Sequence, residues 1–207
     1  MSGSDKGGSQ KTVVVAICGA SGAVYGLRLL KALLERDVRV FLIVSRAGKQ
    51  VLAHENGYSG EPFVEFLTAN RCEISNASSL TILDEHDFFT PPASGSFRHD
   101  GMVIAPCTMG TLAAIAGGMG SNLIHRAADV CLKEQRKLIL VPRETPLNTI
   151  HMENMLKAAK AGATILPASP SFYTRPASLN DLVDTVIARI LDHLDISHDL
   201  MKPWGSF

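Results

Sequence analysis

The sequence predicts a doubly wound α/β domain built on a mainly parallel sheet, and three observations carry that prediction. Short apolar runs alternate along the chain with longer segments of helical period. Runs such as "VVVAI" (13–17) and "LILV" (138–141) are continuous, which suits strands covered on both faces. The residues of unusual type cluster just after these runs, where ligands bind in open sheets of this kind.

Each element follows from the same two signals. Apolar runs place strands at Thr12–Cys18, Val38–Val44, Leu80–Leu83, Met102–Ala105, Lys137–Val141 and Ala163–Leu166. Helical period between them places helices at Ala23–Arg36, Ala47–Glu55, Pro62–Asn70, Thr108–Gly117, Ser121–Gln135, Ile150–Ala161 and Ser178–Leu194. The last is the clearest, with Leu179, Leu182, Val183, Val186, Ile187, Ile190, Leu191 and Leu194 on one helical face. Strand ends then nominate Gly19–Ala23, Ser45–Arg46, Pro91–Ser96, Pro106–Thr111, Arg143–Asn148 and Pro167–Pro176 as ligand-facing segments.

With 207 residues, no internal repeat and no linker, the chain reads as one domain over 12–207, long enough to bury a proper core. Residues 1–11 are set apart as a flexible leader, native or added for expression, because "MSGSDKGGSQ" lacks the apolar core of a signal peptide. Twenty basic and twenty acidic residues cancel, which argues against nucleic acid or an anionic membrane as the main partner. So little colloidal repulsion is easier to tolerate if surface is buried in an oligomer. No apolar run reaches the roughly 18 residues of a membrane span. Cys18, Cys72, Cys107 and Cys131 are too widely spaced for a zinc knuckle or redox pair. Cys18, Cys107 and Cys131 read as core thiols, and a reducing cytoplasm is the expected compartment.

Gly19-Ala20-Ser21-Gly22-Ala23 makes a tight turn with little bulk at a helix start, where backbone N–H groups and the Ser21 hydroxyl can hold a phosphate. Ser21 replaces the middle glycine of G-x-G-x-x-G, and Gly26 is followed by Leu27 and Arg28, not by the Lys-Ser/Thr of a Walker loop. Ala23 spoils the G-x-S-x-G nucleophile elbow. The second strand ends in Ser45-Arg46 without the acid that binds an NAD ribose, so NADP, or the phosphate or ribityl chain of FMN, remains open. "PCTMGT" (106–111) repeats the device, with Thr108 and Thr111 as hydroxyl donors and Gly110 permitting close approach; Thr108 also suits a plain N-cap. Two such loops suit a ligand longer than a bare phosphate.

"VPRETP" (141–146) holds Arg143 and Glu144 on backbone stiffened by prolines, either as a positioned site or as a surface ion pair worth under ~1 kcal/mol. "SPSFYTRP" (169–176) presents Tyr173 in the same manner. The seven histidines are scattered, and Asp84-Glu85-His86-Asp87 reads as a solvated acidic turn, not a metal site.

Taken together, "GASGAVYGLRLL", "SRAGKQVLAHE", "PPASGSF", "MVIAPCTMGTLAAIA", "NLIHRAADVCLKEQRKLILVPRETPL" and "FYTRPASLNDLVDTVIARILD" resemble the UbiX-type flavin prenyltransferases, in colinear order from Thr12 to Trp204. The resemblance implies a flavodoxin-like (Rossmann-like) fold and transfer of a dimethylallyl group from dimethylallyl monophosphate to reduced FMN. A fourth ring then closes, without a metal, to give prenylated FMN for a UbiD-type decarboxylase, as in ubiquinone biosynthesis. It also implies a homo-oligomer, commonly a dodecamer.

The family's FMN contacts fall on Gly19, Ala20, Ser21, Ser45, Thr108, Met109, Gly110, Thr111 and Arg143. Its contacts to the prenyl phosphate fall on Tyr173 and Arg189, with Arg126, Lys133 and Glu144 around that phosphate and Trp204 near the prenyl pocket. Ser21, Glu55, Lys133, Glu144 and Tyr173 are the implied catalytic group. Segment 56–89 matches weakly, and Thr108 stands where the family commonly has serine. Two alternatives remain at this stage. One is a non-catalytic flavin-binding or delivery protein; the other is an FMN-dependent decarboxylase of the phosphopantothenoylcysteine type, disfavoured because Gly110 stands where its asparagine would be.

Overall fold

The structure, a computed structural model, describes residues 10–70, 79–201 and 205. Six strands are described: β1 (Thr12–Ile17), β2 (Arg39–Val44), β3 (Leu80–Leu83), β4 (Gly101–Cys107), β5 (Leu138–Pro142) and β6 (Thr164–Ile165). The α-helices among the described residues are α1 (Ala23–Leu34), α2 (Arg46–Asn56), α3 (Phe63–Ala69), α4 (Met109–Ala116), α5 (Leu123–Lys133), α6 (Thr149–Lys160) and α7 (Leu179–His193). Every strand pairs in parallel, in the order β3-β2-β1-β4-β5-β6. The fold is of the doubly wound, flavodoxin-like (Rossmann-like) class, and its strand order is the Rossmann one. The order of strand addition reverses between β1 and β4, which opens a crevice at their carboxyl ends.

The continuous apolar runs are explained by the two cores. Val13, Val15 and Ile17 of β1 face a layer that includes α1 and α7, while Val14, Ala16 and Cys18 face one that includes α4 and α5. Neither face meets water, so the period-2 alternation of a half-buried strand is absent. Each fully buried Leu or Ile on these seams stabilises the fold by about 1.5–3 kcal/mol relative to exposure. The α1 layer lies unusually close to the sheet, because a Cβ on Gly26 would sit 2.5 Å from the Ala105 carbonyl oxygen and 2.8 Å from Ile17 Cδ1. An Arg28–Asp184 pair, with contacts of 2.6 and 2.8 Å, ties α1 to α7.

Two boundaries differ from expectation for local reasons. β4 runs on past Ala105 through Pro106 to Cys107, and its pairing with β5 shifts register between Ile104 and Cys107. A proline cannot donate to the ladder, and an irregularity is where a central strand tolerates one. β6 shrinks to two residues at the sheet edge. Cys18, Cys107 and Cys131 are buried free thiols, as expected, whereas Cys72, Trp204 and most of the leader lie outside the described residues. No helix among the described residues is long and apolar enough to cross a membrane.

Candidate functional site at the switch point

The turn after β1 is shaped by a carboxylate from elsewhere in the chain. Gly22 adopts φ 99°, a conformation that favours glycine, and starts α1 without a side-chain cap of its own. Glu55, in the last turn of α2, supplies the missing acceptor. Its Oε2 accepts from Gly22 N at 2.9 Å and Ala23 N at 3.0 Å, and the Ser21 hydroxyl bonds to the same carboxylate. Burial pushes the Glu55 carboxyl up. The Ser21 hydroxyl, the two amides and the charge of Arg143 outweigh that effect and leave it below the usual carboxylate range. The amides expected to cradle a phosphate at this helix start are therefore already engaged by an internal anion. Gly19 brings α2 against the turn, since a Cβ there would lie 2.5 Å from Ala47 Cβ.

A second carboxylate closes the start of α2. Ser45 is the N-cap, accepting from Gly48 N at 2.9 Å, and Arg46 N donates to Glu85 Oε1. The same Glu85 accepts Leu123 N on its backbone carbonyl at 2.8 Å, joining the starts of α2 and α5. This corrects the reading of Asp84–Asp87 as a merely solvated turn. The strand-end rule points to Pro91–Ser96 after this strand, whereas Glu85 lies only two residues past the end of β3.

The start of α4 is different. Thr108 caps it by accepting from Thr111 N at 3.0 Å, its hydroxyl donates to Thr111 Oγ1, and Thr111 Oγ1 donates to Cys18 Sγ at 3.5 Å. Among the described residues no carboxylate bonds to the Met109 and Gly110 amides of this first turn, and Gly110 is exposed, with only Thr108 Oγ1, at 3.9 Å, near where a Cβ would be. Among the described residues, the starts of α1 and α2 at the crevice carry carboxylates and that of α4 does not, which suits the α4 start to an external anion. Arg143, just past β5, comes from the other side. Its Nε is buried and has no hydrogen-bond partner, and a Cβ on Gly22 would lie 3.3 Å from its Cδ. No ion pair joins Arg143 to Glu144 among the described residues; Glu144 is exposed and accepts from Thr145 N at 3.0 Å.

The expected flavin contacts, Gly19 to Ser21, Ser45, Thr108 to Thr111 and Arg143, thus gather at the carboxyl ends of β1, β2, β4 and β5 together with Glu55. The residues expected around a prenyl phosphate do not gather within one protomer. Tyr173 and Arg189 line a cavity of about 750 Å³ beside α7. Arg126 and Lys133 project from α5, in the layer on the opposite face of the sheet, toward the 93–95 turn. Arg126 Nε donates to the Ala93 carbonyl at 3.0 Å, and Lys133 pairs with Glu134. Tyr173 Oη donates to Met201 Sδ at 3.2 Å. Among the described residues no group of three or more His, Cys, Asp and Glu is arranged to hold a metal ion.

A parallel sheet with a switch-point crevice, an open helix start and a buried arginine Nε suits a phosphate-bearing nucleotide ligand, and the Flavoprotein family model, which matches residues 2–191, makes the chain a flavoprotein. The chain is 47% identical over 195 residues to Flavin prenyltransferase UbiX of Pseudomonas aeruginosa, with 93% of each chain covered. It belongs to the UbiX family of flavin prenyltransferases. The crystal structure of AnUbiX (PadA1) in complex with FMN and dimethylallyl pyrophosphate superimposes with a TM-score of 0.86 at 38% identity, covering 96% of this chain and 99% of that one. A dodecameric FMN-dependent UbiX-like decarboxylase from Escherichia coli O157:H7 superimposes with a TM-score of 0.83 at 39% identity, covering 94% and 100%.

Proposed function

We propose that this enzyme joins the dimethylallyl group of dimethylallyl monophosphate to the central-ring nitrogen of reduced FMN. It then closes a fourth ring onto the neighbouring benzenoid carbon and releases prenylated FMN to a UbiD-type decarboxylase. The observation that carries the reading is the buried, unpartnered Nε of Arg143 in a crevice whose α4 start is open while its α1 start is filled by Glu55. An arginine held in that state fits an anionic or carbonyl-rich ligand such as a flavin mononucleotide. Ser45, Thr108, the Met109 and Gly110 amides and Thr111 suit its phosphate end, and Gly19 to Ser21 suit its ring. Bound there, reduced FMN supplies the nucleophilic nitrogen.

In the transfer step the allylic C–O bond breaks with its electron pair leaving on the phosphate, and a C–N bond forms. The departing charge is carried by side chains and not by a metal: Arg189 and Tyr173 in one protomer, Arg126 and Lys133 supplied from a neighbouring one. Trp204 is assigned to the prenyl end by resemblance. The nitrogen gives up its proton as the C–N bond forms. Ring closure then adds a proton to the inner alkene carbon, joins the outer one to the benzenoid carbon and expels that carbon's proton. Glu55, ionised and bonded to Ser21, is suited to this shuttling, with Glu144 the alternative carboxylate. Separation of the two basic groups on opposite faces of the sheet supports an oligomer whose subunits complete one another's sites.

Mass spectrometry of the flavin released after anaerobic incubation with reduced FMN and dimethylallyl monophosphate tests the reaction. A gain of one dimethylallyl group is expected; flavin recovered unmodified but tightly bound would make the protein a carrier. Mixed oligomers of R189A and K133A protomers test the shared site. Partial recovery of activity is expected, and none would confine the site to one chain.

A further inference from the structure

Arg189 is held by a chain of contacts that neither resemblance nor strand ends identify. Its NH1 donates to Asp192 Oδ2 at 2.6 Å, three residues further along α7. The other oxygen, Asp192 Oδ1, lies 3.0 Å from His198 Nε2. An ionised carboxylate only accepts, so Nε2 carries the proton. His198 lies beyond the end of α7, yet its side chain is only 9% exposed, against 57% for Arg189. Its Nδ1 is buried without a hydrogen-bond partner. All three residues line the same cavity as Tyr173 and Ser171, whose Oγ is likewise buried and unpartnered.

Stability does not explain this arrangement. An exposed Arg–Asp pair at i,i+3 contributes little, and a carboxylate beside a phosphate-binding guanidinium competes with the phosphate for it. What the pair does provide is direction. A long arginine side chain over half exposed samples many rotamers, and a carboxylate fixed on its far side by a buried imidazole restricts the guanidinium to one sector. Asp192 takes a single NH1, leaving the remaining N–H donors for a ligand.

We propose that His198 and Asp192 are positioning residues that aim Arg189 at the leaving phosphate of the prenyl donor, an inference that rests on Arg189 binding that phosphate. His198→Ala then raises KM for dimethylallyl monophosphate about three- to tenfold, the range expected for freeing one long side chain. Turnover at saturation stays within about twofold, as for lost ground-state positioning, and FMN affinity is unchanged. The inhibition constant of inorganic phosphate, competing with the donor, rises by the same factor as KM.

The conservative variants discriminate between atoms. A glutamine amide reaches the place of Nε2 and an asparagine amide that of Nδ1, so H198Q restores KM and H198N does not. Steady-state kinetics on the FMN-loaded, fully assembled enzyme, with Tm measured for each variant, makes the test. Should H198A fail to fold, H198Q against H198N decides alone. Equal KM values for these two variants would overturn the relay. R189A with an unchanged KM would instead remove the phosphate reading beneath it.

Discussion

Glu55→Ala removes the acceptor at the start of α1 and strands the Gly22 and Ala23 amides, together with the Ser21 hydroxyl. In full burial, bonds to a charged acceptor would each be worth about 1.5–3 kcal/mol. Glu55 is exposed, so solvent screens the charge, and loss of a helix N-cap is the better measure: about 1–2 kcal/mol. For a domain of this size that lowers Tm by about 2–8 °C. Scanning calorimetry of the ligand-free protein, at fixed protomer concentration and pH 7, reads it directly.

The pH dependence has a definite sign. The folded carboxyl titrates below the unfolded one, so its contribution is complete above the ordinary carboxylate range and disappears as pH falls through the lowered folded value. The gap between wild type and E55A therefore closes on acidification below about pH 4, and that between wild type and E55Q closes with it. Equal melting temperatures at pH 7, or a gap that widens in acid, would refute the role of Glu55 as the anion of α1.

Three further outcomes are expected. Arg143→Ala weakens FMN binding about 10- to 100-fold in a fluorescence titration, because it removes a charge-assisted donor held ready without an internal partner; unchanged affinity would place the flavin elsewhere. Gly26→Ala forces a methyl group against the Ala105 carbonyl at 2.5 Å and destabilises by about 1–3 kcal/mol in urea denaturation, whereas a neutral result would mean that α1 lifts freely off the sheet. Burial pushes the Cys18 thiol up to about 11, that of Cys131 up to about 12, and that of Cys107 well above its ordinary range. A Cys72→Ser protein accordingly stays unlabelled by a thiol reagent at pH 8 until it is unfolded, and rapid native labelling would contradict that burial.

The fold was legible because its signals are local. "VVVAI" and "LILV" declare doubly covered strands by composition alone, and the apolar face from Leu179 to Leu194 declares α7 by period. The helix cap at Thr108 was readable for the same reason, since a cap and its amide lie three residues apart. The flavin-facing loops followed from the strand ends. Composition could not reveal which donors in those loops remain available, because that depends on partners distant in sequence. Glu55 reaches back 33 residues to Gly22, and Glu85 reaches back 39 residues to Arg46. Asp192 and His198 were invisible for another reason. A histidine six residues from an aspartate, across the end of a helix, has no characteristic spacing, and only the fold of the tail brings the two within bonding distance.

An enzyme that retains a flavin as a resident cofactor can let it finish shaping the loop that grips it. A protein whose flavin is the thing altered has to let go after every cycle, and each departure exposes the grip to collapse. The Glu55 carboxylate satisfies the Gly22 and Ala23 amides from within the chain, so the turn does not depend on a flavin to complete its hydrogen bonds. Durability in the empty state is what separates a workbench from a socket, and here it resides in one side chain.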